Sequence, residues 1–306
     1  MDYKITYQRN KMTVYDCSMF LNENDLYEIR LNQHWDFVDR FIVVEAGETH
    51  TGLKKSLKFD HERFKPYAEK LTYASFDNFE EEMKKYPDLI DPDTKLDRGP
   101  AVVSEDWMRD HFQANYLFKV MTDLGAKDDD IVYISCLDEI IKKSAFEEAM
   151  TRFEDKTSTF LNGLRPVFGF HYYLYAYKFN LLHKHWRDHV AGMITEFGNL
   201  KKVLPTTFRS RGMSTHSHIP DAGWHFTFLD GTNGEMVLEK QRSWAHSRDR
   251  YDGRKLKFDH QNTFEALQRL AEDYPVQLVD ITPDTHPQYI VDNLERLQNF
   301  VYRVQT

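Results

Sequence analysis

IVYISCLDEI, residues Ile131–Ile140, sets a mostly apolar run directly ahead of two carboxylates, Asp138 and Glu139. The β-branched and aromatic members of that run, with no helical period, fit a strand over Ile131–Cys136 buried on both faces of a parallel sheet. Outward from it, FIVVEA (Phe41–Ala46) has the same character and also carries a carboxylate, Glu45. Val14–Phe20 is a third strand candidate and Leu71–Phe76 a weaker fourth. A helical stretch runs from Asn22 to Val38, where Asn22 or Asn24 can cap it and Glu23, Asp25 and Glu28 suit its positive end. A second helix covers about Ser104–Leu124. Tyr86–Pro100, with three prolines and four aspartates, reads as a loop. This strand–helix–strand rhythm predicts an α/β fold with a mostly parallel sheet and helices on both faces. Ligands of such sheets bind beyond the carboxyl ends of the strands, where Glu45, Asp138 and Glu139 stand.

The second half reads differently. Pro166–Asn180 (PVFGFHYYLYAYKFN) is aromatic and partly alternating, as in antiparallel strands that shape a pocket. Trp224–Leu229 reads as a short strand, Glu235–Gln241 as a helix, and a helix is expected to start at Ser144. Phe264, Leu267 and Ala271 recur at helical spacing, and Ile290, Leu294, Leu297 and Val301 mark a closing amphipathic helix.

The 306 residues suit one large α/β domain, and 41% apolar with 14% aromatic content excludes a disordered chain. Forty Lys plus Arg against 49 Asp plus Glu leave a net charge of −9, which disfavours a nucleic-acid partner. No apolar run approaches the roughly 18 residues of a membrane span, and the N-terminus lacks a signal-peptide core. A soluble, cytoplasmic protein is the expectation. The two cysteines, Cys17 and Cys136, each fall in a strand-like stretch and read as buried reduced thiols.

Several residues have the chemistry for a site. Asp138 and Glu139, leaving a buried strand, suit a divalent cation and the phosphates it bridges, or else a solvated helix start. In the loop after the second strand, Gly47 and Gly52 permit close backbone approach, while its hydroxyls and lysines suit a nucleotide. It matches neither a P-loop nor a dinucleotide fingerprint. Among the 14 histidines, His183, His185 and His189 form one cluster and His216, His218 and His225 another. His185 and His189 have the spacing of two imidazoles on one helical face, as in a zinc site, although no HExxH is present. Asp221, beside Gly223 and Trp224, reads either as a turn residue or as a base facing a pocket. His246 is able to complete a metal site begun by Asp138. Tyr172, Tyr173, Tyr177 and Trp186 suit sugar stacking or simple core packing.

Taken in order, these strings resemble a known family. Tyr15–Phe59 (YDCSMFLNENDLYEIRLNQHWDFVDRFIVVEAGETHTGLKKSLKF) is similar to the N-terminal signature of the β-1,4-mannosyl-glycoprotein 4-β-N-acetylglucosaminyltransferases, the bisecting-GlcNAc transferases and their microbial and viral relatives. DDDIVYISCLDEI resembles that family's metal motif, DAGWHFTF its DAGWH segment and SWAHS its Ser-Phe-Ser-His. The resemblance implies a single GT-A-like catalytic domain. Its nucleotide-sugar-binding half would span residues 14–140, an acceptor- and metal-completing half 141–260, and a helical closure 261–306. It further implies a UDP-sugar donor, UDP-GlcNAc above all, a Mn²⁺ or Mg²⁺ ion, and inverting transfer to a glycan or other hydroxyl-bearing acceptor.

By position, the resemblance makes Asp138 the metal ligand and His246 a second one, with Glu139 holding the adjoining loop. Glu45, Thr51, Lys55, Asp110 and Gln113 fall on the donor side. Tyr173, Trp186, Trp224 and His225 are the acceptor-side candidates, and Asp221 is the candidate base. One departure stands out: Cys136 replaces the first aspartate of the family's Asp-x-Asp, which puts the donor sugar in doubt. Two other classes compete: a metal-dependent hydrolase using the histidine clusters, and a non-catalytic module that binds sugar nucleotides or glycans.

Overall fold

Alternate residues of the central strands enter two different cores, which is what a sheet covered on both faces requires. A computed structural model describes residues 12–91, 101–154, 164–184, 189–207, 217–232, 234–245 and 276–303. The first half runs β1 (Val14–Phe20), α1 (Asn24–His34), β2 (Arg40–Ala46), α2 (His61–Phe64), β3 (Leu71–Phe76), α3 (Phe79–Lys85), α4 (Ala101–Asp123) and β4 (Ile131–Ile134). Val14, Phe41, Val43, Ile131 and Tyr133 face a core shared with α1. Tyr15, Ile42, Val44, Val132 and Ile134 face another, filled by Phe112, Leu117 and Met121 of α4. Each such fully buried side chain contributes about 1.5–3 kcal/mol of transfer free energy.

Then follow β5 (Glu139–Ile141), α5 (Lys143–Glu154), β6 (Val167–Ala176), β7 (Leu181–His183), β8 (His189–Glu196) and α6 (Phe197–Leu200). The chain closes with β9 (Ser217–Thr227), α7 (Glu235–Ser243), β10 (Val276–Leu278) and α8 (Gln288–Asp292). The sheet order is β3-β2-β1-β4-β8-β6-β7-β10, with β9 pairing both β6 and β5. The four strands from β3 to β4 are parallel. From β4 onward the pairs are antiparallel, except that β9 runs parallel to β6. The mixed α/β architecture with a largely parallel sheet is therefore as the sequence predicts.

Several expectations need correction. The strand of the IVYISC run stops at Ile134, because the next carbonyls turn toward a buried arginine described below. Cys136 thus lies in a half-buried turn, whereas Cys17 is fully buried, and neither forms a disulfide. The short strand at Trp224 belongs to β9, which begins at Ser217 and ends where Phe228 takes φ +50°. The closing helix is not continuous: α8 ends at Asp292, and only a 3₁₀ turn over Gln298–Phe300 follows. Asn293 leaves helical geometry at φ −116°, and its side chain donates to the Tyr289 carbonyl at 2.8 Å, competing with the backbone ladder. Ile290, Leu297 and Phe300 are nonetheless buried, so the apolar stripe marks core even where the helix fails. Phe264, Leu267 and Ala271 lie outside the described residues.

His286, just before α8, is buried between Tyr175 and Phe226, and its Nε2 meets the Phe179 carbonyl at 2.7 Å. Burial pushes its pKa down to about 4, against that hydrogen bond. A folded pKa below the ordinary value of about 6.5 means the unfolded chain takes up the proton first, so stability falls as pH drops from about 6.5 toward 4. Urea denaturation at a series of pH values should show this loss in the wild type and a shallower one in His286→Gln.

Candidate active site

The turn that carries Asp138 is fixed from below by a buried polar network. Asp16 of β1 is 2% exposed and Arg30 of α1 is fully buried. Arg30 Nε donates to both Asp16 oxygens at 3.0 and 3.1 Å, and its Nη2 pairs with the same carboxylate. Its Nη1 donates to the carbonyls of Cys136, Leu137 and Glu139 at 2.7, 3.3 and 3.0 Å. His34, one turn on, accepts the Ile141 N–H at Nε2 (3.0 Å), so its neutral ring carries the proton on Nδ1, 2.6 Å from Asp16 Oδ2. Burial pushes the His34 pKa down, over the opposing pull of Asp16. Burial acts upward on Asp16, yet Arg30 and His34 hold its carboxyl below the ordinary range.

Above this turn, beyond the carboxyl ends of β1, β2 and β4, lies a cavity of about 400 Å³ whose far wall comes from β9 and α7. Asp138, 3% exposed, is in its floor. Its Oδ2 accepts from Lys240 Nζ at 2.6 Å; its Oδ1 accepts no hydrogen bond and has His225 Nε2 3.5 Å away. Burial acts upward on this carboxyl, but Lys240 and His225 hold it well below the ordinary carboxylate range. Burial acts downward on Lys240, but Asp138 and Glu23 raise its pKa overall. Glu139 Oε2 accepts the Cys136 N–H at 3.0 Å and so closes the turn on itself. Among the described residues, Cys136, Asp138 and Glu139 form the group with metal-ligand chemistry, their donor atoms all within 4.8 Å of one another.

The loop after β2 forms the opposite rim. A side chain at Gly47 would put its Cβ 2.5 Å from the Asp77 carbonyl oxygen, so the loop leaves the strand against bare backbone. Glu45 does not line the cavity: it is fully buried and anchors the loop. It pairs with Lys55 Nζ at 2.5 Å and accepts the N–H groups of Lys58 (2.7 Å) and Phe59 (3.2 Å). Thr51 is likewise indirect. Its Oγ1 donates to the Arg242 carbonyl at 2.6 Å, and His50 N donates to that of Ser243 at 2.9 Å, so the loop caps the end of α7. Lys55, Asp110 and Gln113 do line the cavity. Gln113 Oε1 lies 2.8 Å from His50 Nε2, Asp110 lies 3.3 Å from His50 Nδ1, and Gln113 Nε2 donates to the Val44 carbonyl at 2.9 Å.

Lys55, Asp110, Gln113, Asp138, Glu139 and His225 therefore surround one cavity. Asp221 does not join them. It stands at φ +48° with a largely exposed side chain that accepts from Lys142 Nζ at 2.6 Å. That lysine lies 5.3 Å from the Tyr173 ring centroid and 5.6 Å from that of Trp224, so these three form a separate patch. Trp224 is 4% exposed and donates Nε1–H to the Thr285 carbonyl at 2.7 Å, as a core residue does. His246 and Trp186 lie outside the described residues. The helical histidine pair is corrected as well: His183 and His189 belong to strands β7 and β8, and His185 lies outside the described residues.

Sequence reasoning missed Arg30, His34, His50 and Lys240. Arg30 and His34 had a signal, since each follows the apolar face of α1 at helical spacing from Leu26, where a charged or polar group must be paired. Lys240 had none.

Residues 3–272 match the profile described as glycosyltransferase family 17. The chain belongs to glycosyltransferase family 17. This is a family of N-acetylglucosaminyltransferases, and the match spans strands β1–β9, the Asp138 turn and α7. No curated protein matches the chain. Among solved structures, a 4-diphosphocytidyl-2C-methyl-D-erythritol synthase aligns at 7% identity and TM-score 0.35, over 69% of this chain and 90% of its own. Mouse xyloside xylosyltransferase 1, in its apo form, aligns at 10% identity and TM-score 0.28, over 96% and 94%. Among the described residues, no helix of this family 17 chain is long and apolar enough to cross a membrane.

Replacing Arg30 by Met leaves Asp16 as a buried charge without its main partner and frees three carbonyls of the Asp138 turn. A loss of about 3–5 kcal/mol in urea denaturation is expected. Arg30→Lys should recover only a small part, because an ammonium cannot span the carboxylate and the carbonyls as the planar fork does.

Proposed function

We propose that this family 17 chain transfers N-acetylglucosamine from UDP-N-acetylglucosamine to a hydroxyl of a glycan or similar acceptor, with inversion at C1 and a Mn²⁺ or Mg²⁺ ion. The observation that carries the reading is a deeply buried, ionised Asp138 at the carboxyl end of the parallel strands, facing the cavity opposite Lys55. Family membership supplies the donor class. The donor set suits a cation: Asp138 Oδ1 is buried without a hydrogen bond, and Cys136 and Glu139 offer further ligand atoms close by.

Asp138 would hold the ion with Cys136 or Glu139, and the ion would supply Lewis-acid neutralisation of the leaving diphosphate. His50, Asp110 and Gln113 form the polar wall available to the nucleotide, and Lys55, fixed by Glu45, adds a positive charge. In the transfer itself, the acceptor oxygen bonds to C1 as the C1–O bond to the diphosphate breaks. The electron pair departs with UDP and the acceptor proton passes to a carboxylate. Asp221 is not assigned that step, because its carboxylate faces Lys142 away from the cavity lining. With Tyr173 it suits the outer part of an extended acceptor.

Calorimetry with a panel of nucleotide sugars, with and without Mn²⁺, tests the reading. UDP-GlcNAc should bind in a Mn²⁺-dependent way that Asp138→Ala abolishes, and the product formed from a glycan acceptor should carry the inverted linkage. Binding of no nucleotide sugar under any condition would refute it.

A further inference from the structure

We propose that Lys240 is the residue that neutralises the donor's diphosphate, and that its ammonium and a divalent cation are alternative partners of Asp138. The inference rests on the transferase reading above. It adds a residue with no place in that scheme so far.

Lys240 enters the cavity from α7 and is bound there by two acids, Asp138 at 2.6 Å and Glu23 at 3.5 Å, with its Nζ 6.0 Å from the Phe228 ring centroid. Its position is set from several sides. Asn22 Nδ2 hydrogen-bonds the neighbouring Glu239, and the loop after β2 holds the carbonyls of Arg242 and Ser243. Before the helix, Asp230 accepts the N–H groups of Gly234 (2.7 Å) and Thr232 (3.2 Å), and the turn opens with Phe228 in left-handed backbone. A lysine tethered through both ends of its helix is a built feature of the cavity, unlike a surface side chain that happens to reach an acid.

The charge arithmetic gives it a task. A doubly charged ion settling on Asp138 meets an ammonium 2.6 Å from one carboxylate oxygen, a like-charge contact that low-dielectric surroundings make costly. One of the two must move off. The lysine has a flexible stem, and the anion that arrives with the cation is the donor's diphosphate, so the ammonium passes from carboxylate to phosphate. Cys136 sharpens the point: with a thiol in place of the family's first motif carboxylate, the floor holds less negative charge to balance a cation. Lys240 thereby couples cation binding to donor binding. It stays protonated throughout, and the electron pair released at C1 remains on the β-phosphate oxygen.

The test is Lys240→Met, which keeps the aliphatic stem against Phe228 and removes the charge. Full-length protein is titrated with Mn²⁺ alone, then with UDP at saturating Mn²⁺, by calorimetry. Relative to wild type, the variant should bind Mn²⁺ about tenfold or more tightly and UDP about tenfold or more weakly, the size expected of coupled sites. Lys240→Arg should restore UDP affinity. Thermal unfolding with and without Mn²⁺ checks the fold, and the ion should stabilise Lys240→Met more than wild type. Unchanged affinities for both ligands in a folded variant overturn the Lys240 assignment and leave the transferase reading intact. A wild-type protein that binds neither UDP nor UDP-GlcNAc removes both.

Discussion

The guanidinium of Arg30 is the point on which the site depends. One face of it meets the buried carboxylate of Asp16 in β1, and one nitrogen gathers three carbonyls of the turn that follows β4. Backbone carbonyls that leave a sheet ladder in a buried place must find donors elsewhere. Arg30 provides them, so the strand can end at Ile134 and the chain can present Asp138 upward. His34 adds the last tie by accepting the N–H of Ile141, the final residue of β5. Asp16, α1 and the turn are thus tied together by hydrogen bonds beneath the cavity, and the position of Asp138 is set by its neighbours in the turn.

The sheet's change of direction makes room for the chemistry. Four parallel strands end on the same side, and β8 then enters antiparallel beside β4. Past that switch the aromatic strands of the second half rise alongside, and β9 brings His225 opposite Glu139 in register. The cavity therefore has a polar wall built from the loop after β2 and from α4, and a mixed wall built from β9 and α7. Asp138 is shared between them through Lys240 and His225.

Much of this was legible in the sequence because buried parallel strands leave long apolar runs. FIVVEA and IVYI read correctly as strands of the parallel sheet for that reason. What was not legible depends on contacts between distant residues. Glu45 and Thr51 sit in the expected loop, yet the fold turns both inward as supports: Glu45 finds Lys55 and two N–H groups, and Thr51 finds the end of a helix from the other half. Asp221 and Trp224 carry the right side chains, but a left-handed residue at one and a core position at the other direct them away from the cavity lining. The Ile290–Val301 stripe gave core residues without the helix, since an asparagine side chain competes for the ladder at Asn293.

The tie between Thr51 and Arg242 spans 191 residues of chain. The loop that borders the cavity is made well before the helix whose end it caps. For most of that interval the strands β1–β4 can pair and bury their faces, but the loop lacks its partner and the cavity has only one wall. The cavity is thus completed only when segments far apart in the chain come together. A nascent chain arrested between β4 and α7 would hold strands β1–β4 without the α7 side of the cavity.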